Sequence, residues 1–242
     1  MKNLRLLEFS VEKNNQKYQI SLQLTKDKFS QNNIIESFQA NMFFENSLSL
    51  FLIRALKAGD VFYDIGAHVG YFSILSSFLV GHSGRVIAIE PEIENCNQLE
   101  NHIKLNKRNN IKLIKGVISD VDGRLDFYRN LDNDGGHSLF DISEHPMNLK
   151  SKANPLNIKT NSFTLDSLIK KSDMPLPRII KVDVEGAELQ VIQGGEKIIS
   201  PENIDFIICE WNIGSYISSL KLRREMLAKG YQTFVFDDKN RF

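Results

Sequence analysis

The segment VFYDIGAHVGYFSI (61–74) holds the residues best suited to bind a small molecule. Asp64 lies at the end of an apolar run, and Gly66 and Gly70 bracket a tight turn before an amphipathic stretch. Glycines permit positive φ and let a ligand approach the backbone closely, and a helix N-terminus offers free N–H groups. This strand–turn–helix pattern predicts a cofactor-binding loop.

Two classes of cofactor compete for this loop. A dinucleotide site needs G-x-G-x-x-G, but the second and third glycines of that pattern are His68 and Tyr71 here. An imidazole at 68 would crowd a pyrophosphate, and the carboxylate of Asp64 would repel one. The same carboxylate suits the ammonium group of an amino-acid moiety. The loop therefore favours a nucleoside that carries positive charge, and S-adenosylmethionine fits that description.

Two further segments are candidates for binding the nucleoside. Glu90 ends the apolar run VIAIE, 20 residues after Gly70. A carboxylate there can accept both ribose hydroxyls, or it can cap the following helix instead. Val117 and Ile118 follow the next predicted strand and could sandwich an adenine ring, although a simple β-bulge explains this segment equally well.

These residues resemble, in this order, the FkbM-type family of S-adenosylmethionine-dependent methyltransferases. The resemblance runs from about Glu45 to Phe236. Because D-x-E-G-x-E after a strand is not a generic Rossmann feature, the last of its blocks is the most specific. The blocks are GDVFYDIGAHVGYFSI (59–74), GRVIAIEPE (84–92), SDVDG (119–123), TLDSL (164–168) and IIKVDVEGAELQVIQGG (179–195).

The resemblance implies methyl transfer to oxygen, on hydroxyls of sugars or polyketide-like metabolites. It places Glu90 at the ribose, and Glu45 near the methionine end of the cofactor. It assigns the cofactor loop to Asp64, Gly66, Ala67, His68 and Gly70, with His68 where the family often has Asn.

Transfer to a hydroxyl needs a group that orients the acceptor or takes its proton. Carboxyl ends of strands are the place to search, because open α/β sheets bind ligands there. We interpret Lys181 as a surface residue at a strand end and assign it no role. The candidates are Asp183, Glu185 and Glu188 after the strand 178–184, Glu210 after 205–210, and His137 in the irregular segment 129–160.

Three hypotheses divide these candidates. The favoured one has Asp183 contact the methionine end of the cofactor while Glu185 or His137 orients or deprotonates the acceptor. In the second, which we do not favour, Asp183, Glu185 and Glu210 hold a divalent cation that lowers the pKa of the hydroxyl. In the third, Glu185 and Glu188 are structural and pair with Lys181 or cap a helix.

The elements that must position these residues follow from hydrophobic periodicity. Residues 4–24 alternate around a KNNQ turn and predict a β-hairpin, and 47–57 predict a helix. Alternation of strands with helices then predicts a Rossmann-like class I methyltransferase sheet with helices on both faces. We expect residues 1–44 to form the hairpin and a connecting segment, and 45–242 the methyltransferase domain. The strands are 61–65, 85–90, 111–116, 178–184, 205–210 and 231–236, and the helices 71–79, 94–108, 188–193 and 216–229.

Composition excludes several classes of function. The 242 residues carry 30 basic and 30 acidic side chains, so no long-range basic field attracts nucleic acid or an anionic membrane. Two cysteines are too few for a disulfide framework. Because we find neither a signal peptide nor a membrane span, we expect a cytoplasmic protein.

The expected partner is a small-molecule or glycan acceptor. This fold usually ends with a further antiparallel strand after 231–236, which could come from a longer chain or from a second copy in a homodimer. Two alternative functions remain at this point. One is an NAD- or nucleotide-sugar-binding oxidoreductase, and the other is a catalytically silent module that keeps the fold as a scaffold.

Overall fold

The computed structural model describes residues 3–130, 136–139, 156–172, 174–210 and 216–236. In chain order the elements are β1 (Leu4–Lys13), β2 (Gln16–Thr25), α1 (Phe29–Gln39), α2 (Asn46–Ala55), β3 (Val61–Ile65), α3 (Tyr71–Leu79), β4 (Arg85–Glu90), α4 (Ile93–Leu105), β5 (Ile111–Lys115), β6 (Val117–Ile118), β7 (Gly123–Arg129), β8 (Leu156–Phe163), α5 (Leu165–Ser172), β9 (Ile179–Val182), α6 (Glu188–Gln193), β10 (Phe206–Cys209) and α7 (Tyr216–Ala228).

A five-stranded parallel sheet carries the cofactor loop. Its order is β10-β9-β3-β4-β5, so the carboxyl ends of all five strands meet at one edge. Successive residues of a strand face opposite sides of the sheet. Phe62 accordingly joins a core shared with α2, α3 and the hairpin, whereas Tyr63 joins one shared with α5, α6 and α7. Helices on both faces of the sheet are thereby confirmed.

The N-terminal hairpin also forms as predicted, with β1 paired antiparallel to β2. Asn14 and Asn15 make its turn at positive φ, which asparagine tolerates better than most residues. The buried side chains of the hairpin, such as Ile20 and Leu22, belong to the same core as α2 and α3. The hairpin therefore packs on the helix layer of the sheet.

The predicted strand over 231–236 is wrong. These residues pair with no strand in the described part of the chain, and Phe234 and Val235 are 85% and 87% exposed. The segment has strand-forming residue types, but such residues form a strand only where neighbouring side chains and a pairing strand stabilise it.

Within the same described residues, no helix has the length and apolar character needed to cross a membrane.

Three elements close to the site were not predicted. Helix α1 precedes α2, and β8 pairs with both β6 and β7 in a second, three-stranded sheet beside the first. Helix α5 follows β8 within the block TLDSL. Strand β9 ends at Val182, two residues before its predicted end, because the chain turns at Glu185 and Gly186, both with positive φ.

Candidate active site

A cavity of about 270 Å³ opens at the carboxyl edge of the parallel sheet. Small-molecule sites are usually concave and combine an apolar wall with a few convergent polar groups, as this one does. Its lining includes the cofactor loop, Glu90, the segment Gly116–Ile118 and the carboxyl-bearing residues Glu45, Asp183, Glu185 and Glu210.

The cofactor loop packs directly against the carboxyl ends of β4 and β9. The N–H groups of Gly66 and Ala67 both donate to the carbonyl of Ile89, each at 3.0 Å. Gly66 has φ +79°, and a Cβ there would lie 1.8 Å from the carbonyl oxygen of Asp183. Only glycine fits between the two strand ends, so the loop lies directly against the cavity.

Glu90 lines the cavity with a carboxylate that the backbone holds in place. Oε2 accepts a hydrogen bond from the N–H of His68 at 2.8 Å, and Oε1 accepts from the N–H of Glu92 at 3.0 Å. Burial raises the pKa of Glu90, although these hydrogen bonds oppose the shift. The cap of α4 is Glu92, whose side chain accepts from the N–H of Glu94. The ribose role of Glu90 stays a prediction, but the alternative helix-capping role belongs to Glu92.

Asp64 and Gly70 are predicted ligands that the structure places behind the cavity wall. Asp64 is 0% exposed, and its Oδ2 accepts a hydrogen bond from the hydroxyl of Ser73 at 2.6 Å. At Gly70 a Cβ would lie 2.1 Å from Cδ1 of Leu99, so this glycine lets α3 pack closely on α4. Direct contact of either residue with a ligand is not supported by this geometry.

Lys181 is the main functional residue that the sequence analysis misjudged. It is 4% exposed, and its Nζ lies 3.1 Å from Oδ2 of Asp183 and 3.5 Å from Oδ1 of Asp64. Burial alone would lower the pKa of this ammonium, but the charges of Asp183, Asp64 and Glu45 outweigh burial and raise it. Lys181 is therefore a buried, charged group at the cavity, and its assignment as a surface residue is wrong.

Glu45 reaches the same region from the segment before β3. It has φ +42° as the residue preceding α2, and its side chain lines the cavity. Burial and the negative charges of Asp183 and Glu210, opposed by Lys181, raise the pKa of Glu45 to about 7. Its location agrees with the expected methionine end of the cofactor, and its role there stays a prediction.

Asp183, Glu185 and Glu210 come together, with one carboxylate oxygen of each within 4.8 Å of the others. Burial, followed by the charges of Glu210 and Asp183, raises the pKa of Glu185 to about 8. Burial, followed by the charges of Asp183 and Glu188, raises the pKa of Glu210 to about 7. Three oxygen ligands at this spacing suit a hard divalent cation, but Lys181 already supplies positive charge to Asp183. The cation hypothesis stays a prediction that we do not favour.

Glu185 and Glu188 share one turn but differ in their surroundings. Glu185 has φ +51°, a strained backbone that commonly marks functional positions, and it lines the cavity. Glu188 is buried, and its Oε1 accepts hydrogen bonds from the N–H groups of Val184 and Gly186 at 3.3 and 3.1 Å. Glu188 therefore stabilises the turn, as the third hypothesis expects, whereas the role of Glu185 stays a prediction.

His137 lines the cavity and belongs to residues 136–139, a described part of the irregular segment. Its Nδ1 accepts a hydrogen bond from the N–H of Asn130 at 2.9 Å. This hydrogen bond fixes the orientation of the ring at the cavity. The predicted role of His137, to orient or deprotonate the acceptor, stays a prediction.

Val117 and Ile118 are buried and line the cavity beside Gly116, in agreement with the predicted adenine segment. Residues of α1 also line this cavity, and they were not predicted because helix α1 itself was not predicted. Most of the irregular segment 129–160 lies outside the described residues. The α1 residues concerned are Phe29, Ser30, Asn33 and Ile34.

The family model of the methyltransferase FkbM domain matches residues 64–233 of the chain. The chain belongs to this family. FkbM proteins are S-adenosylmethionine-dependent methyltransferases, so the methyltransferase fold and the recognised resemblance are confirmed.

Two curated methyltransferases are among the proteins that are similar to the chain. Hexuronic acid methyltransferase AglP of Haloferax volcanii is 26% identical over 171 residues, which are 70% of this chain and 63% of that protein. A probable cobalt-precorrin-6B C(15)-methyltransferase (decarboxylating) of Saccharolobus solfataricus is 38% identical over 85 residues, 33% of this chain and 42% of that one. The chain therefore spans less than two thirds of either relative.

Among the similar solved structures is the methyltransferase FkbM from Methylobacillus flagellatus KT. It has a TM-score of 0.51 and 18% identity, and the match covers 78% of this chain and 41% of that one. At this identity the likeness supports the fold, and the chemistry has to be argued from the cavity.

Proposed function

We propose that this FkbM-family protein transfers the methyl group of S-adenosylmethionine to a hydroxyl of a sugar or glycan. The observation that carries the proposal is a single cavity with a ribose-type carboxylate, Glu90, and the carboxyl groups of Asp183, Glu185 and Glu210 in its lining. The acceptor class is also supported by the similarity to AglP, whose name states that it methylates a hexuronic acid.

The cavity residues fit S-adenosylmethionine. Glu90 is aimed into the cavity by two backbone N–H groups and can accept ribose hydroxyls. Gly66 and Ala67 of the loop line the cavity, so a ligand there can lie against the loop. The carboxyl groups in the described lining outnumber its ammonium group, that of Lys181, which favours the positively charged methionine end.

When bound, S-adenosylmethionine supplies a methyl group whose bond to sulfur breaks as the acceptor oxygen bonds to the methyl carbon. Glu185 is the residue placed to take the proton of the acceptor hydroxyl, because its side chain lines the cavity and has no ammonium partner among the ion pairs of the described residues. Asp183 is paired with Lys181, and His137 lies in the same cavity lining, where its ring can orient the acceptor. The protein thus contributes orientation and proton removal.

Glu185→Gln tests the proposal in a methyl-transfer assay that uses labelled S-adenosylmethionine and a panel of methyl hexosides and methyl hexuronosides. General-base catalysis is worth about 10²–10⁴-fold, so kcat should fall by that factor while the affinity for S-adenosylhomocysteine is retained. Glu202→Gln, at an exposed carboxyl group, is the control and should leave kcat unchanged.

Two results would contradict the proposal. Unchanged kcat in Glu185→Gln would show that another group removes the proton. If the unmodified protein binds S-adenosylhomocysteine but labels none of the glycosides, the sugar acceptor is wrong and the alternative of a silent binding module gains support.

A further inference from the structure

We propose that helix α1 forms part of the cofactor site, with Phe29 and Asn33 in contact with the nucleoside part of bound S-adenosylmethionine. The inference rests on the proposed function. Helix α1 lies outside residues 64–233, which match the family domain, so the site would include a segment that precedes that domain.

The first two turns of α1 present one face to the cavity. Phe29, Ser30, Asn33 and Ile34 all line it, and their spacing of one, four and five residues is that of a single helix face. Ile34 is 1% exposed and also packs in the core, so the rotation of the helix is fixed. The polar amide of Asn33 is therefore held at the cavity.

Contacts with α4 place this face at the nucleoside end of the cavity. Nζ of Lys28, the residue before α1, lies 3.1 Å from Oε2 of Glu94 in the first turn of α4. One turn further along each helix, Gln31 and Gln98 are hydrogen-bonded at 3.0 Å. Because α4 begins three residues after Glu90, this anchoring places the start of α1 on the side of the cavity that holds Glu90, the carboxylate proposed to bind the ribose.

A hydrogen-bond network holds α1 and the cofactor loop together. The side chain of Gln98 donates to the carbonyl of Gln23 in β2 at 2.7 Å, and Oε1 of Gln31 accepts from the N–H of Thr25 at 3.1 Å. His102 then joins Gln23 to the loop, since its Nδ1 lies 2.7 Å from the carbonyl oxygen of Val69. The hairpin thus acts as a support that sets α1 relative to the loop.

The two side chains on this face have the chemistry that a nucleoside needs. Asn33 offers an amide donor and a carbonyl acceptor, and in the described part of the chain no hydrogen bond reaches its side chain. Phe29 is 60% exposed at the cavity, where its ring can cover the sugar or base of a ligand.

Asn33→Ala and Asn32→Ala form a matched pair that tests the inference. Both replace the same residue type in the same turn, but Asn32 donates to Oε1 of Glu36 on an exposed side of the helix. Calorimetric titration with S-adenosylhomocysteine, and separately with adenosine, should show an affinity about 2–12-fold lower for Asn33→Ala. Asn32→Ala should stay within about 2-fold, and thermal unfolding should show that both variants remain folded.

The possible results separate the inference from the proposed function. If Asn33→Ala binds both ligands as tightly as Asn32→Ala, the inference is refuted while the proposed cofactor stands. If the affinity for S-adenosylhomocysteine is unchanged and only the KM for the sugar acceptor rises, α1 belongs to the acceptor site and the inference is again overturned. Failure of the unmodified protein to bind S-adenosylhomocysteine refutes both.

Discussion

Replacing Lys181 by methionine tests how the site tolerates so many carboxyl groups. The ammonium of Lys181 lies between Asp64 and Asp183, 3.5 and 3.1 Å away, and is 4% exposed. Methionine has similar length and can occupy the same space beside the ring of Phe72, which lies 5.3 Å from Nζ. The substitution therefore removes the charge and leaves most of the packing.

The expected loss of stability is large because Asp64 is fully buried. Removing one partner of a buried ion pair leaves an uncompensated charge and costs about 3–5 kcal/mol of unfolding free energy. For a chain of this size each kcal/mol shifts Tm by about 2–4 °C, so Tm should fall by about 6–20 °C. Asp183 is only half-buried, so most of the effect comes from Asp64.

The control is Lys159→Met, which removes an ammonium 2.8 Å from Asp126 on the surface. Both side chains of that pair are largely exposed, and such pairs contribute about 0–1 kcal/mol. Urea and thermal unfolding of both variants, followed by far-UV circular dichroism, give the comparison directly. A loss in Lys181→Met no larger than in Lys159→Met would refute the buried-charge argument.

The pH dependence separates charge from packing. The pKa of Lys181 is raised above 10.5, so its stabilising contribution is fully present across pH 5–8. In the variant, burial without the cation raises the pKa of Asp64 further above its usual 3.8, so the folded state binds a proton more readily than the unfolded state. The unfolding free energy of the variant should therefore fall as pH rises above about 4. The difference in unfolding free energy between the variant and the unmodified protein should accordingly be larger at pH 8 than at pH 5. An equal deficit at both would indicate a packing effect.

Two further predictions concern the reacting groups and the loop. The kcat/KM for methyl transfer should rise about tenfold per pH unit to a plateau above pH 8. The reason is that burial and acidic neighbours raise the pKa of Glu185 to about 8, and a base must be deprotonated to act. A flat profile from pH 5.5 to 9.5 would exclude Glu185 as the base. Gly66→Ala should lower both Tm and the affinity for S-adenosylhomocysteine far more than Gly81→Ala, since φ is positive at both positions but only at Gly66 would the Cβ meet backbone, at 1.8 Å. Similar losses in calorimetry and thermal unfolding would contradict the close-approach argument.

The central sheet could be predicted because burial on both faces leaves a local signal in the sequence. Strands β3 and β4 have the predicted bounds, and the glycine loop between them was found from residue types alone. Lys181 was misjudged although its signal was present, because an isolated lysine in the apolar run IIKV has no route to solvent. The register also pairs Lys181 with Asp64 on the adjacent strand, which only the strand order reveals.

Helix α1 and the second sheet were missed for different reasons. In the α1 segment, the pair Asn32 and Asn33 is typical of turns and obscures the helical spacing of the apolar residues Ile34, Ile35 and Phe38. Strand β8 is stabilised by pairing with β6 and β7, which lie more than 25 residues earlier in the chain. The local sequence pattern of β8 does not indicate such distant partners, so neither the existence of β8 nor its register could be inferred.

The three carboxyl groups of the motif D-x-E-G-x-E have three environments, which is the strongest reason to give them different roles. Asp183 follows β9 and is tied to Lys181, so its charge is compensated inside the protein. Glu188 accepts two backbone N–H groups and thereby fixes the turn. That turn holds Glu185 at φ +51° with its side chain at the cavity, where burial and negative neighbours favour uptake of a proton. Of the three, Glu185 alone lines the cavity without an ion-pair partner among the described residues or a hydrogen-bonding role in the turn, and this difference supports our proposal that Glu185 removes the proton.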